Sequence, residues 1–125
     1  GPAYFRWPVG GGLVDMTDAS RNEAIDFLDT LADKFEGSSS LLKAFEVAFQ
    51  SPAEAIVLFS DGLPNPAFNA NLSPGRLVRS ITVSNAKSVE IHAVTIGDYF
   101  KYSGTVEFME SLARANAGGF LALSD

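Results

Sequence analysis

The sequence predicts an α/β domain: a mostly parallel sheet with helices on both faces, giving three layers. Three observations predict it. Apolar runs of strand length recur at 54 to 60, 89 to 96 and 120 to 123. Segments with helical spacing separate them, so the second half reads strand, helix, strand, helix, strand. The first two of these strands each end in a turn carrying a carboxylate, Ser60-Asp61-Gly62 and Gly97-Asp98. Right-handed crossovers between parallel strands place both turns at one end of the sheet, where open α/β sheets bind ligands.

The length of 125 residues fits a single domain, 1 to 125, with enough apolar content (46%, including 10 Phe) to fill a core. No apolar run approaches the roughly 18 residues of a membrane span, so no membrane insertion is expected. Asp and Glu number 15 against 9 Lys and Arg, a net charge of −6, and no basic cluster occurs. That balance excludes nucleic acid and anionic membrane surfaces as natural partners. The absence of cysteine excludes a disulfide scaffold, thiolate zinc and a Cys nucleophile, and leaves the compartment open.

In chain order, residues 3 to 9 are aromatic enough for a strand, but Pro8 lacks a donor, so residues 1 to 12 read as an edge strand or an arm. Gly10 to Gly12 form a loop; no Lys-Ser/Thr follows that would make it a phosphate cradle. Residues 18 to 35 read as an amphipathic helix with Ile25, Leu28, Leu31, Ala32 and Phe35 inward. Ser20 with Glu23 fits a capping box at its start, and Thr17 is the alternative cap. Gly37 closes that helix, and Ser38 to Ser40 open a second one whose stripe is Leu41, Ala44, Phe45, Ala48 and Phe49.

The run from Ala55 to Phe59 reads as a strand buried on both faces. A polar loop from Asp61 to Leu72 follows, then a helix from Ser73-Pro74 to about Lys87 with Leu77, Val78 and Ile81 inward. Val89 to Ile96 is the second strand, Thr105 to Ala115 a helix capped by Gly118-Gly119, and Phe120 to Leu123 the third strand.

Four pieces in register carry a family resemblance. Ile56 to Asn65 (IVLFSDGLPN), Val89 to Asp98 (VEIHAVTIGD) and Phe108 to Phe120 (FMESLARANAGGF) resemble the second half of a von Willebrand factor type A domain. Leu13 to Phe49, with Gly37-Ser38-Ser39-x-Leu41, is similar to that family's Gly-Gly-Thr-x-Leu loop and the helix after it. The resemblance implies a Rossmann-like, doubly wound fold and a metal-ion-dependent adhesion site at the loop end. Asp61 and Ser39 would be metal ligands there, with Ser60, Gly62, Asn65 and Asp98 at the partner-binding surface. The implied ion is Mg²⁺ (or Mn²⁺ or Ca²⁺), a hard cation that takes hydroxyl, carboxylate and water oxygens.

The family's richest ligand loop, Asp-x-Ser-x-Ser after its first strand, is not in this sequence. The nearest string, Asp18-Ala-Ser20-Arg-Asn22, is better explained as a helix start. The chain therefore reads as a reduced family member, either truncated or minimal, lacking the first strand, first helix and adjoining strand. Its metal affinity alone is expected to be weak or absent. In the family the missing strand lies beside the one at 54 to 60, so that edge is expected to be exposed. Residues 3 to 9 folding back, or a second copy in a homodimer, would cover it.

The function these features point to is non-enzymatic protein binding of the adhesion type, and the resemblance favours an extracellular, cell-surface or periplasmic setting. The alternative is a metal-free structural or assembly module working through the sheet edge. An α/β hydrolase or phosphotransferase using Asp61 is a distant third. Position 63 is Leu where a second Asp would be wanted, and there is no Gly-x-Ser-x-Gly elbow. His92 reads as a satisfied sheet histidine, and Trp7 beside Tyr4 and Phe5 as local packing.

Overall fold

A computed structural model of the chain describes residues 6–8, 10–31, 40–101 and 103–124. Among these residues four α-helices and three strands occur in the order α1 (Asp18–Leu31), α2 (Leu41–Phe49), β1 (Ala55–Ser60), α3 (Pro74–Ser84), β2 (Glu90–Ile96), α4 (Thr105–Ala115) and β3 (Phe120–Leu123). The strands form one parallel sheet in the order β1-β2-β3. The register pairs Leu58 with Ala93 and Ala93 with Phe120. The α/β class and the parallel pairing match the sequence expectation. No described helix is long and apolar enough to cross a membrane.

One core explains the arrangement. Phe45 of α2, Leu77 and Ile81 of α3, and Phe108, Met109, Leu112 and Ala113 of α4 bury themselves against Ile91 and Ala93 of β2. Ile56, Leu58 and Phe120 flank them on the same sheet face. The three helices thus cover a single face, where removal of apolar surface from water is worth about 25 cal/mol per Å².

The opposite face is where the expectation fails. β1 is not buried on both sides: Ile56 and Leu58 turn inward, while Val57 and Phe59 are 53% and 62% exposed. An unbroken apolar run is the pattern of a doubly covered strand, but here α2, α3 and α4 pack into one core on the face of Ile56 and Leu58. Helix α1 is the second departure. Leu31 is buried, yet Ile25 and Leu28 are exposed, because α1 has at most marginal contact with the other elements. The expected extension of this helix to residue 35, with Ala32 and Phe35 inward, lies outside the described residues.

The caps refine the boundaries. At α1 the box is formed by Thr17 and Ser20, not Ser20 and Glu23. The Ser20 N–H donates to Thr17 Oγ1 at 3.1 Å and the Thr17 N–H to Ser20 Oγ at 2.8 Å. Two orphan donors are satisfied reciprocally, with a serine hydroxyl in the usual Glu role. At α2 the Ser40 hydroxyl accepts from the Lys43 N–H at 3.2 Å, as its place in the Ser run suggested. Helix α3 stops at Ser84, short of Lys87, because Asn85 leaves the helix and turns its amide on Val89. Its Oδ1 accepts from the Val89 N–H at 2.9 Å and its Nδ2 donates to the Val89 carbonyl at 2.8 Å. The same Nδ2 lies 3.0 Å from Asn116 Oδ1, and the Asn116 Nδ2 donates to Thr82 Oγ1 and the Leu112 carbonyl. This buried amide network joins the ends of α3 and α4 to the start of β2.

Helix α4 ends with Ala117 in the left-handed region (φ 56°), where the sequence suggested a glycine cap. Gly118 serves close approach instead, lying against the Ile91 carbonyl of β2. Of the proposed edge strand or arm, residues 6–8 and 10–12 are described and form no strand; residues 1–5 and residue 9 lie outside the described residues. Trp7 is half-buried and lines a cavity of about 500 Å³ with Gly10 to Gly12 and the end of α2.

Candidate functional site

The parallel register carries Ser60 and Thr95 to the same level, just before the turns that hold Asp61 and, beyond Ile96, Asp98. At the β1 turn the Ser60 hydroxyl donates to the Gly62 carbonyl at 3.0 Å and accepts from the Gly62 N–H at 3.4 Å. This local ring bends the chain sharply and leaves the Asp61 side chain exposed. Gly97, at φ 66°, brings the β2 turn close enough that a Cβ there would sit 4.0 Å from Asp61 Cβ. Asp98 is engaged by Lys101, with Nζ 2.9 Å from Oδ2, in an ion pair that is more than half exposed and contributes well under about 1 kcal/mol.

Asn65 is a cap. Its Oδ1 accepts from the Ala67 N–H at 3.0 Å and starts a 3-10 turn over Pro66–Phe68. The residue that ties this loop down is Asn69, which sequence reasoning missed. It is fully buried; its Nδ2 donates to the Asn65 carbonyl at 2.8 Å and its Oδ1 accepts from the Leu42 N–H at 3.0 Å. Leu42 lies in the first turn of α2, so Asn69 fastens the loop after β1 to the helix that follows the Ser38 to Ser40 run. Three asparagines in one polar loop gave no signal as to which would be buried.

The structure therefore brings together Ser60, Asp61, Gly62, Gly97 and Asp98, with Asn65 in the same loop. Ser39, the other expected metal ligand, lies outside the described residues. Among the described residues no group of three or more His, Cys, Asp or Glu could hold a metal ion. A cavity of about 560 Å³ lies between Tyr99, Phe100 and the outer side of α4, and Asp61 does not line it. His92 accepts from the Gly119 N–H through Nδ1 at 2.9 Å, which makes it a brace between β2 and the start of β3, as its mid-strand place suggested.

Thr95 is fully buried and its Oγ1 has no hydrogen-bond partner among the described residues. Leaving such a group unpaired costs about 1 to 3 kcal/mol, and valine has nearly the same shape. Thr95→Val should therefore raise stability by about 1 kcal/mol, read as a higher urea midpoint at unchanged slope. A loss of similar size would mean that the hydroxyl has a partner.

Comparison with protein-family models, with curated proteins and with solved structures finds no match.

Proposed function

We propose that the chain is a non-enzymatic protein-binding module, a reduced relative of the von Willebrand factor type A domains with their three-layer, Rossmann-like architecture. The loop end around Asp61 is its contact surface. The observation that carries this reading is the convergence of the β1 and β2 turns, Gly97 against Asp61, beside a loop anchored to α2 by the buried Asn69. A rigid base under an exposed carboxylate and exposed backbone suits recognition, since a pre-organised surface loses little entropy on binding. Among the described residues no His or second carboxylate is hydrogen-bonded to a hydroxyl beside Asp61, which disfavours the hydrolase and phosphotransferase readings.

The binding needs no metal on this reading. The melting temperature should be the same in chelator and in millimolar Mg²⁺, because an ion bound to the native state would stabilise it by mass action. A rise in Mg²⁺ that disappears in Asp61→Ala would overturn the metal-free form. The surface itself is tested with a photoactivatable residue at the exposed Ala67, against one at Val83 on α3. Protein adducts at the first position only are expected; equal adducts at both, or none at Ala67, would sink the reading.

A second reading, assembly through the sheet edge, is favoured by one observation: β2 is the only described strand paired with β1, which forms the edge. It requires self-association that rises with concentration, and a strict monomer in sedimentation would remove it.

A further inference from the structure

We propose that the open face of the sheet docks an amphipathic helix from a partner, with an apolar stripe flanked by Lys and Arg. The face carries Val57 and Phe59 of β1, Val94 and Ile96 of β2, and Leu121 and Leu123 of β3, which alternate with the buried set. Registry places Phe59, Val94 and Leu121 in one row and Ile96 beside Leu123. Three strands about 4.8 Å apart make a face about 10 Å wide, the diameter of one helix. β1 and β2 are about 20 Å long, which seats about four helical turns, and β3 lines about 13 Å of that length.

Charge selects the occupant. Exposed carboxylates frame the apolar rows, with Glu54 and Glu90 at the start of the strands and Asp61 and Asp98 at their ends. Among the described residues, Glu54, Glu90 and Asp61 take part in no ion pair; Asp98 is paired with Lys101. The chain's own α1 has an exposed apolar pair, Ile25 and Leu28, but carries four carboxylates to one guanidinium and would bring like charge to the frame. A second copy brings a net charge of −6 to a chain of the same charge. A basic amphipathic helix satisfies both the apolar rows and the carboxylate frame, since opposite charges at the rim steer encounter and fix register. This surface meets the loop end at Asp61 and Asp98 and needs no metal.

The test uses the whole chain in chelator and two synthetic helical peptides with the same leucine stripe, one with Lys and one with Glu at every polar position. Fluorescence anisotropy should show saturable binding of the Lys peptide and at least about tenfold weaker binding of the Glu peptide. Phe59→Ser and Leu121→Ser should each weaken the Lys peptide by about tenfold or more, the effect of losing one buried apolar side chain. Val83→Ser, exposed on α3 away from the sheet, should leave it unchanged. Equal binding of the two peptides, no binding, or equal loss in Val83→Ser would overturn the proposal. Tighter binding by Ile25→Ser/Leu28→Ser would put α1 on the face, and self-association abolished by Phe59→Ser would put a second copy there; either result also overturns it.

Discussion

Gly118→Ala should destabilise the fold by about 3 kcal/mol or more, at the upper end of what overpacking costs in a well-filled interior. The reason is steric, not conformational. A Cβ at this position would fall on the carbonyl of Ile91 and lie 3.0 Å from the His92 nitrogen, so the obstacle is backbone of the central strand. That backbone cannot retreat, because Ile91 is fully buried and its N–H is bonded to the Asn116 carbonyl at 3.1 Å. Two residues on, the Ala93 N–H is bonded to the Gly119 carbonyl at 3.0 Å. These bonds bracket Gly118 against β2, and making room for a methyl group breaks them and releases β3. Gly119→Ala is the control: its Cβ would meet His92 Nδ1 at 3.7 Å, ordinary contact, so its cost should stay below about 1 kcal/mol. Denaturant midpoints of the two variants decide the matter; equal values would mean that β3 can move away from β2 without penalty.

The same glycine pair shows how far the sequence could be read. Its presence after an amphipathic segment marked the end of α4 correctly, since helix periodicity and terminating glycines are local signals. Its job was not legible, because close approach to Ile91 depends on a strand far away in sequence. Elements from Ala55 onward were readable within a residue or a few, as apolar runs and caps bound each one. What failed was the assignment of faces. Val57 and Phe59 are as apolar as Ile56 and Leu58, so composition alone could not say that one side of β1 would stay open. The polar network was hidden for a related reason. The bonds Asn69 to Leu42, Asn85 to Asn116 and Asn116 to Thr82 join residues 27, 31 and 34 positions apart, and an asparagine destined for burial looks like any turn asparagine. At the loop end, the turns carrying Asp61 and Asp98 were legible because strand tips are marked by Gly and Asp, whereas the clamp beneath them was not.

Asn69→Leu, which removes that clamp at nearly constant volume, should cost about 2 to 4 kcal/mol. Leu42 carries one of the N–H groups at the start of α2 that no carbonyl of its own helix can accept, and Asn69 Oδ1 supplies the acceptor from 27 residues away. Leucine leaves that donor without its acceptor, at about 1 to 3 kcal/mol. The loss of Nδ2 takes a second bond from the Asn65 carbonyl, but that oxygen keeps the Phe68 N–H at 3.1 Å, so this part is the smaller one. Asn65→Ala, which deletes only the local bond to the Ala67 N–H, should cost about 1 kcal/mol and leave α2 intact. Hydrogen exchange separates the two variants. The Leu42 amide should lose its protection in Asn69→Leu and keep it in Asn65→Ala, whereas protection kept in both would show that α2 does not depend on the loop. If the loop end is the binding surface, Asn69→Leu should also reduce cross-linking from Ala67, although Asn69 itself is fully buried and presents nothing to a partner. On that proposal the amide acts on recognition by holding the loop after β1 in a single position relative to α2.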